Sequence, residues 1–75
     1  MSDDLGELTA IIEALIFASP DPVTLKTLIK LIDGEPVEHV EEALASLRDD
    51  WKDRLGGLQL VEVAGGYQIV TKPEL

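Results

Sequence analysis

His39 is the single histidine of the chain, and it stands among Glu38, Glu41 and Glu42 in a segment with helical spacing. A metal site needs several nitrogen, sulfur or carboxylate donors converging on one point. There is no second histidine and no cysteine, so His39 reads as a solvated surface side chain. Ser19 and Ser46 have no base at a motif spacing, and Ser19 before Pro20 reads as a turn residue, not a nucleophile. Phosphate cradles need glycines that open onto a helix N-terminus, whereas Gly56-Gly57 precedes a strand and Gly65-Gly66 divides a hairpin. No catalytic, cofactor-binding or metal-ligating residue is assigned, no cofactor or small-molecule ligand is expected, and the chain reads as a binding module, not an enzyme.

The elements that would position a binding surface are cut out by Pro20-Asp21-Pro22, Asp33-Gly34-Glu35-Pro36, Gly56-Gly57 and Gly65-Gly66. Leu5, Leu8, Ile12, Leu15 and Ile16 recur at helical spacing, which predicts a first helix from about Asp4 to Ala18, capped by Ser2 or one of the aspartates after it. Pro20 and Pro22 forbid its continuation and hold residues 19 to 23 extended. Thr24 can then cap a short second helix with a Leu25, Leu28, Ile29, Ile32 stripe. Gly34 can end that helix in the left-handed conformation, and Pro36 suits a first helical position, a helix-turn-helix spacing. The third helix carries Val37, Val40, Leu44, Leu47, Trp51 and Leu55 down one side until Gly56-Gly57 stops it.

Two strands folded about Gly65-Gly66 follow. Leu58 and Leu60 fall on one face but Val61 and Val63 on the other, so either a bulge or a strand covered on both sides is expected. Tyr67, Ile69 and Thr71 alternate on the return. Thr71-Lys72-Pro73-Glu74 reads either as the opening of another helix or as a frayed tail. The predicted fold is α+β, a winged helix: three helices in a helix-turn-helix arrangement, then a two-stranded hairpin wing, as a single domain over residues 1–75. A small three-helix bundle with an unrelated hairpin is the alternative.

With 75 residues and no cysteine, the chain has neither disulfide staples nor thiolate metal sites, and it fits a reducing cytoplasm. The start, "MSDDLGEL", is acidic where a signal peptide needs positive charge, and no apolar run approaches a membrane span, so a soluble cytoplasmic location without membrane contact is expected. Fifteen acids against six cations give a net charge of -9, which repels phosphate-rich partners unless the cations gather on one face. Acidity for solubility alone is the plainer explanation.

Charge placement separates the two. The face of the third helix turned away from its apolar stripe carries Glu38, Glu42, Ala45, Ser46, Asp49 and Asp53. Between Pro36 and Leu55 the count is six acids against Arg48, Lys52 and Arg54. The wing tip has no cation, so direct sequence-specific DNA binding is not expected.

The first helix, in contrast, is apolar nearly all round: Ala10, Ala14 and Phe17 stack opposite its core stripe, interrupted only by Glu7 and Glu13. Either the hairpin or the Pro20 to Val23 segment folds over this face, or a homodimer or protein partner covers it, with Phe17 as an anchor. Trp51 lies on the core stripe, and Tyr67 can reach either the core or a partner. Candidate protein-interface residues are Ala10, Ala14, Phe17 and Tyr67. A peptide could also add to the hairpin's open edge.

Three stretches, "IIEALIFASPDPVTLKTLIKLI", "VEEALASLRDDW" and "GLQLVEVAGGYQIVTKPEL", together resemble the N-terminal region of ScpB, the bacterial segregation and condensation protein B. The most specific parts are "EALIFAS" and the hairpin "GLQLVEVAGGYQIVTKPE". The resemblance implies two winged-helix domains in tandem, with this chain as the N-terminal part of a longer two-domain protein. It also implies dimerisation largely through that domain and binding to the kleisin ScpA, which links ScpB to the SMC ATPase in chromosome condensation and segregation. The role implied is that of a non-enzymatic accessory subunit, cytoplasmic and nucleoid-associated through the complex. Kleisin contacts carried by a second domain would be absent from these residues. The competing function is a winged-helix DNA-binding transcriptional regulator.

Overall fold

Leu8, Ile12 and Ile16 repeat every four residues, and in the computed structural model, which describes residues 4–73, they are buried on one side of α1 (Asp4–Ala18). The cap expected from Ser2 and the helix expected to open after Thr71 extend beyond the described residues. Pro20 and Pro22 follow α1, and the chain straightens into a two-residue strand, β1 (Val23–Thr24). Thr24 then serves α2 (Leu25–Leu31) as its N-cap, its side-chain oxygen accepting a 3.1 Å hydrogen bond from the Thr27 backbone N–H.

A five-residue turn with Gly34 at φ 90° joins α2 to α3 (Val37–Lys52). Pro36 is the N-cap, with ψ 144°, and so stands one position before the helix instead of inside its first turn. Its carbonyl already accepts from Val40 at 3.2 Å, which is why the helix still starts at once. Val40, Ala43, Leu44, Leu47 and Trp51 of α3 are buried against α1 and α2.

The end of α3 differs from the expectation. The helix stops at Lys52, and Leu55, expected on the core stripe, is 92% exposed. Arg54 swings back to lie over the Trp51 ring, and its carbonyl accepts a 3.0 Å hydrogen bond from Lys72 Nζ. Both attachments lie just past the Asp53 C-cap, where the chain has left the helix and the Leu55 side chain is turned outward.

The hairpin pairs β2 (Leu58–Val63) with β3 (Gly66–Thr71) in unbroken register from Leu58 opposite Thr71 to Val63 opposite Gly66. There is no bulge within that ladder, nor is the strand covered on both sides. Leu60 and Ile69 face the core, while Val63 on the opposite face is 43% exposed. The turn residues are Ala64 and Gly65, at φ 51° and 79°, so the reversal lies one residue earlier than Gly65-Gly66. Two positive φ values in a two-residue loop match the twist of paired strands.

Gly66 is instead the point where β1 docks. Val23 lies opposite Tyr67 and Thr24 opposite Gly66, which extends the expected two-stranded wing to a three-stranded antiparallel sheet of order β1-β3-β2. Three helices and this small sheet make the α+β winged helix. Its core joins Leu8, Ile12, Ile16, Val23, Leu28, the α3 stripe and Tyr67.

Candidate protein-interaction surface

His39 Nδ1 lies 3.0 Å from Glu35 Oε2 at the exposed start of α3, so its partner is in the preceding turn and not among the helix acids. Among the described residues no polar or charged side chain is buried, and no cluster of His, Cys, Asp or Glu is placed to hold a metal ion. No described helix is long and apolar enough to cross a membrane.

The helix-one candidates fall together. Ala10, Ala14 and Phe17 are all exposed, Phe17 to 67%, and neither the hairpin nor residues 20–23 covers them. They form one wall of a shallow groove whose other wall is Leu58 and Ile69 of the sheet, with Trp51 and Arg54 between. Helical spacing positions the first wall: residues 10, 14 and 17 are one turn apart, and small side chains at 10 and 14 let another backbone approach closely.

Glu13 is the polar member of that groove. Its Oε2 accepts from Trp51 Nε1 at 3.1 Å and from Arg54 Nη1 at 3.2 Å, while the Arg54 guanidinium lies 4.0 Å from the Trp51 ring centroid. A carboxylate shared by an indole and a stacked guanidinium locks the groove floor with both donors satisfied. The partners are 38 and 41 residues from Glu13. Nothing in local spacing could reveal this triad.

Tyr67 lies apart from the other three. It is 9% exposed and part of the core, with Arg48 5.9 Å above its ring. It lines a second cleft, between α3 and β2, which shares only Trp51 and Arg54 with the α1 groove. That cleft gathers Arg48, Lys52, Arg54 and Lys72, four of the six cations in the chain. A count along α3 alone hid the cluster, because the acids of that helix outnumber its cations yet none of them lines the cleft, although Asp49 reaches Lys52 at its rim. Glu38, Glu41, Glu42, Asp49 and Asp50 are all exposed.

Residues 10–75 match the family model for the segregation and condensation complex subunit ScpB. The chain belongs to the ScpB family. It is 46% identical over 71 residues to segregation and condensation protein B of Syntrophotalea carbinolica, covering 95% of this chain and 36% of that protein. The chain thus spans about a third of the length of the curated relatives it matches.

Among solved structures, a dimer of the ScpB N-terminal domain complexed with a ScpA peptide aligns with TM-score 0.80 and 29% identity, over 95% of this chain and 88% of that one. ScpB from Mycobacterium tuberculosis aligns with TM-score 0.77 and 27% identity, over 93% of this chain and 43% of that one. The winged-helix arrangement is therefore that of ScpB domains.

Proposed function

We propose that this chain is the N-terminal winged-helix domain of a longer two-domain ScpB subunit. In this reading it self-associates through α1 and binds the kleisin ScpA, through which it joins an SMC complex for chromosome condensation and segregation. The observation that carries the reading is the uncovered apolar wall of α1, with Phe17 two-thirds exposed beside a groove that its own sheet lines but does not fill. A phenyl ring so placed gains most of its burial free energy only when a second molecule covers it. The similar N-terminal-domain structure, a dimer carrying a ScpA peptide, supports both contacts. The role is that of a non-enzymatic cytoplasmic subunit whose work is assembly.

Sedimentation tests the first contact. The wild-type domain is expected to run as a dimer at high micromolar concentration, and Phe17→Glu as a folded monomer with its helical circular dichroism intact. A wild-type monomer at that concentration would sink the dimer, and an unfolded Phe17→Glu would place the ring inside its own subunit. Co-purification with the ScpA kleisin of the same genome tests the second, and failure of the full-length subunit to retain ScpA would remove the kleisin from this reading.

A further inference from the structure

The cleft between α3 and β2 combines features that do not depend on the apolar groove. Gln59, Leu60, Val61 and Glu62 are consecutive, and all four line it. Successive residues of a strand point to opposite faces, so a wall made of four in a row is the strand's edge, not one of its faces. That edge is open, since β2 is the outer strand of the order β1-β3-β2.

The ladder register states which backbone groups the edge presents. Lys72 N–H donates to the Gly57 carbonyl at 2.8 Å, which makes residues 57 and 72 a hydrogen-bonded pair. Bonded pairs alternate along an antiparallel ladder, so Gln59 with Val70, Val61 with Gln68 and Val63 with Gly66 are bonded as well. Leu58, Leu60 and Glu62 therefore turn their N–H and carbonyl groups outward, toward the cleft.

Charge then selects what can pair with them. Arg48, Lys52, Arg54 and Lys72 line the cleft against the single carboxylate of Glu62, in a chain whose net charge is -9. Arg48 forms no ion pair among the described residues and lies over Tyr67, Lys52 reaches Asp49 at 3.6 Å with both side chains mostly exposed, Lys72 donates only to the neutral Arg54 carbonyl, and Arg54 is tied to Glu13. Concentrating the few cations beside an open strand edge favours an extended segment bearing carboxylates. Duplex DNA fits less well, because Glu42, Asp49, Asp50 and Asp53 of α3 and its C-terminal turn are exposed and would meet the flanking phosphates.

We propose that an acidic, extended segment of a partner protein docks here as a fourth strand along β2, its backbone pairing with Leu60 and Glu62 and its carboxylates meeting Arg48, Lys52 and Lys72. The cleft and the α1 groove share Trp51 and Arg54 but are otherwise lined by different residues, so this docking does not require the dimer.

The test is a nuclear magnetic resonance titration of the isotope-labelled domain with a capped octapeptide of alternating glutamate and valine. The expected result is saturable shifts centred on the Leu60 and Glu62 amides, with affinity reduced roughly tenfold or more in Arg48→Glu/Lys52→Glu, a variant whose spectrum stays dispersed because both side chains are exposed. The same peptide N-methylated at alternate residues should not bind, since it cannot complete the ladder. Equal binding of a lysine-valine peptide or of the N-methylated peptide would overturn the proposal. So would shifts confined to Ala14 and Phe17, no shift at all, or displacement of the octapeptide from the same amides by a short DNA duplex.

Discussion

The indole Nε1 of Trp51 donates a 3.1 Å hydrogen bond to Oε2 of Glu13, joining the last full turn of α3 to the outer side of α1. The indole is 8% exposed, whereas the carboxylate stays partly in water. Such a bond is worth less than a buried ionic one, yet it leaves the indole N–H without a protein acceptor when removed. Glu13→Ala is expected to destabilise the domain by ~1–2 kcal/mol in urea unfolding. A double-mutant cycle with Trp51→Phe should give a coupling of ~0.5–1.5 kcal/mol, and strict additivity would show that the contact contributes nothing.

Leu44 lies in the middle of the α3 stripe and is buried, while Glu42 two residues earlier is exposed. Leu44→Ala removes branched carbon from a close-packed interior and is expected to cost ~2–5 kcal/mol, a large part of the stability of so small a domain. Glu42→Ala should change stability by less than ~0.5 kcal/mol. Melting temperatures read both, and similar shifts for the two would mean that another face of α3 is buried.

Much of this core was legible in advance because helix spacing is a local property. Val40, Leu44, Leu47 and Trp51 repeat at three and four, and only one face of α3 can meet α1. Ala43, fully buried, escaped because alanine contributes little to an apolar pattern. Leu55 misled because the periodicity runs on past Lys52, whereas the helix has already ended at its Asp53 C-cap. Of the interface candidates, Ala10, Ala14 and Phe17 were legible as a surplus of apolar surface on α1. The Glu13–Trp51–Arg54 triad and the basic cleft were not, since each joins residues far apart in the chain, and tertiary packing alone brings them together. β1 was invisible for a related reason: two residues carry no alternation, and their strand exists only because β3 offers an edge.

That pairing makes a separate prediction at the hairpin. A Cβ placed on Gly66 would sit 2.9 Å from Pro22 Cβ and 3.1 and 3.2 Å from the carbonyl carbons of Pro22 and Val23. Two of these neighbours are backbone, so β1 must move. Gly66→Ala is expected to lower stability by ~1–3 kcal/mol and to raise hydrogen exchange at Val23 and Thr24. Unchanged exchange in β1 would show that the sheet absorbs the methyl group without moving that strand.

At the neighbouring Ala64 the sign reverses. Its φ of 51° strains a residue with a Cβ, whereas asparagine before glycine suits a two-residue turn of this kind. Ala64→Asn is expected to stabilise the domain by ~0.5–1 kcal/mol. A lower melting temperature would rule out strain at this position as a significant cost.

The final prediction concerns the face of α3 that a DNA-reading winged helix would insert into a groove. Glu38, Glu42, Ala45 and Asp49 are exposed there, with Ser46 half-buried, and of the four clustered cations only Lys52 borders it, its ammonium 3.6 Å from the Asp49 carboxylate. Approach to a duplex would bring three carboxylates against phosphate without releasing a counterion in exchange. The domain is therefore expected to leave a short duplex unretarded at about physiological salt. Reversing the face with Glu38→Lys, Glu42→Lys and Asp49→Lys together should create weak binding that fades as salt is raised, since nonspecific affinity of the order of 10⁻⁴–10⁻⁶ M needs only a few phosphate contacts. The substitutions are on the surface, so the fold should persist and circular dichroism should match the wild type. Micromolar, salt-sensitive binding by the unmodified domain would return DNA recognition to this winged helix, whereas a triple-lysine variant that still ignores the duplex would show that shape, not charge, keeps α3 out of the groove.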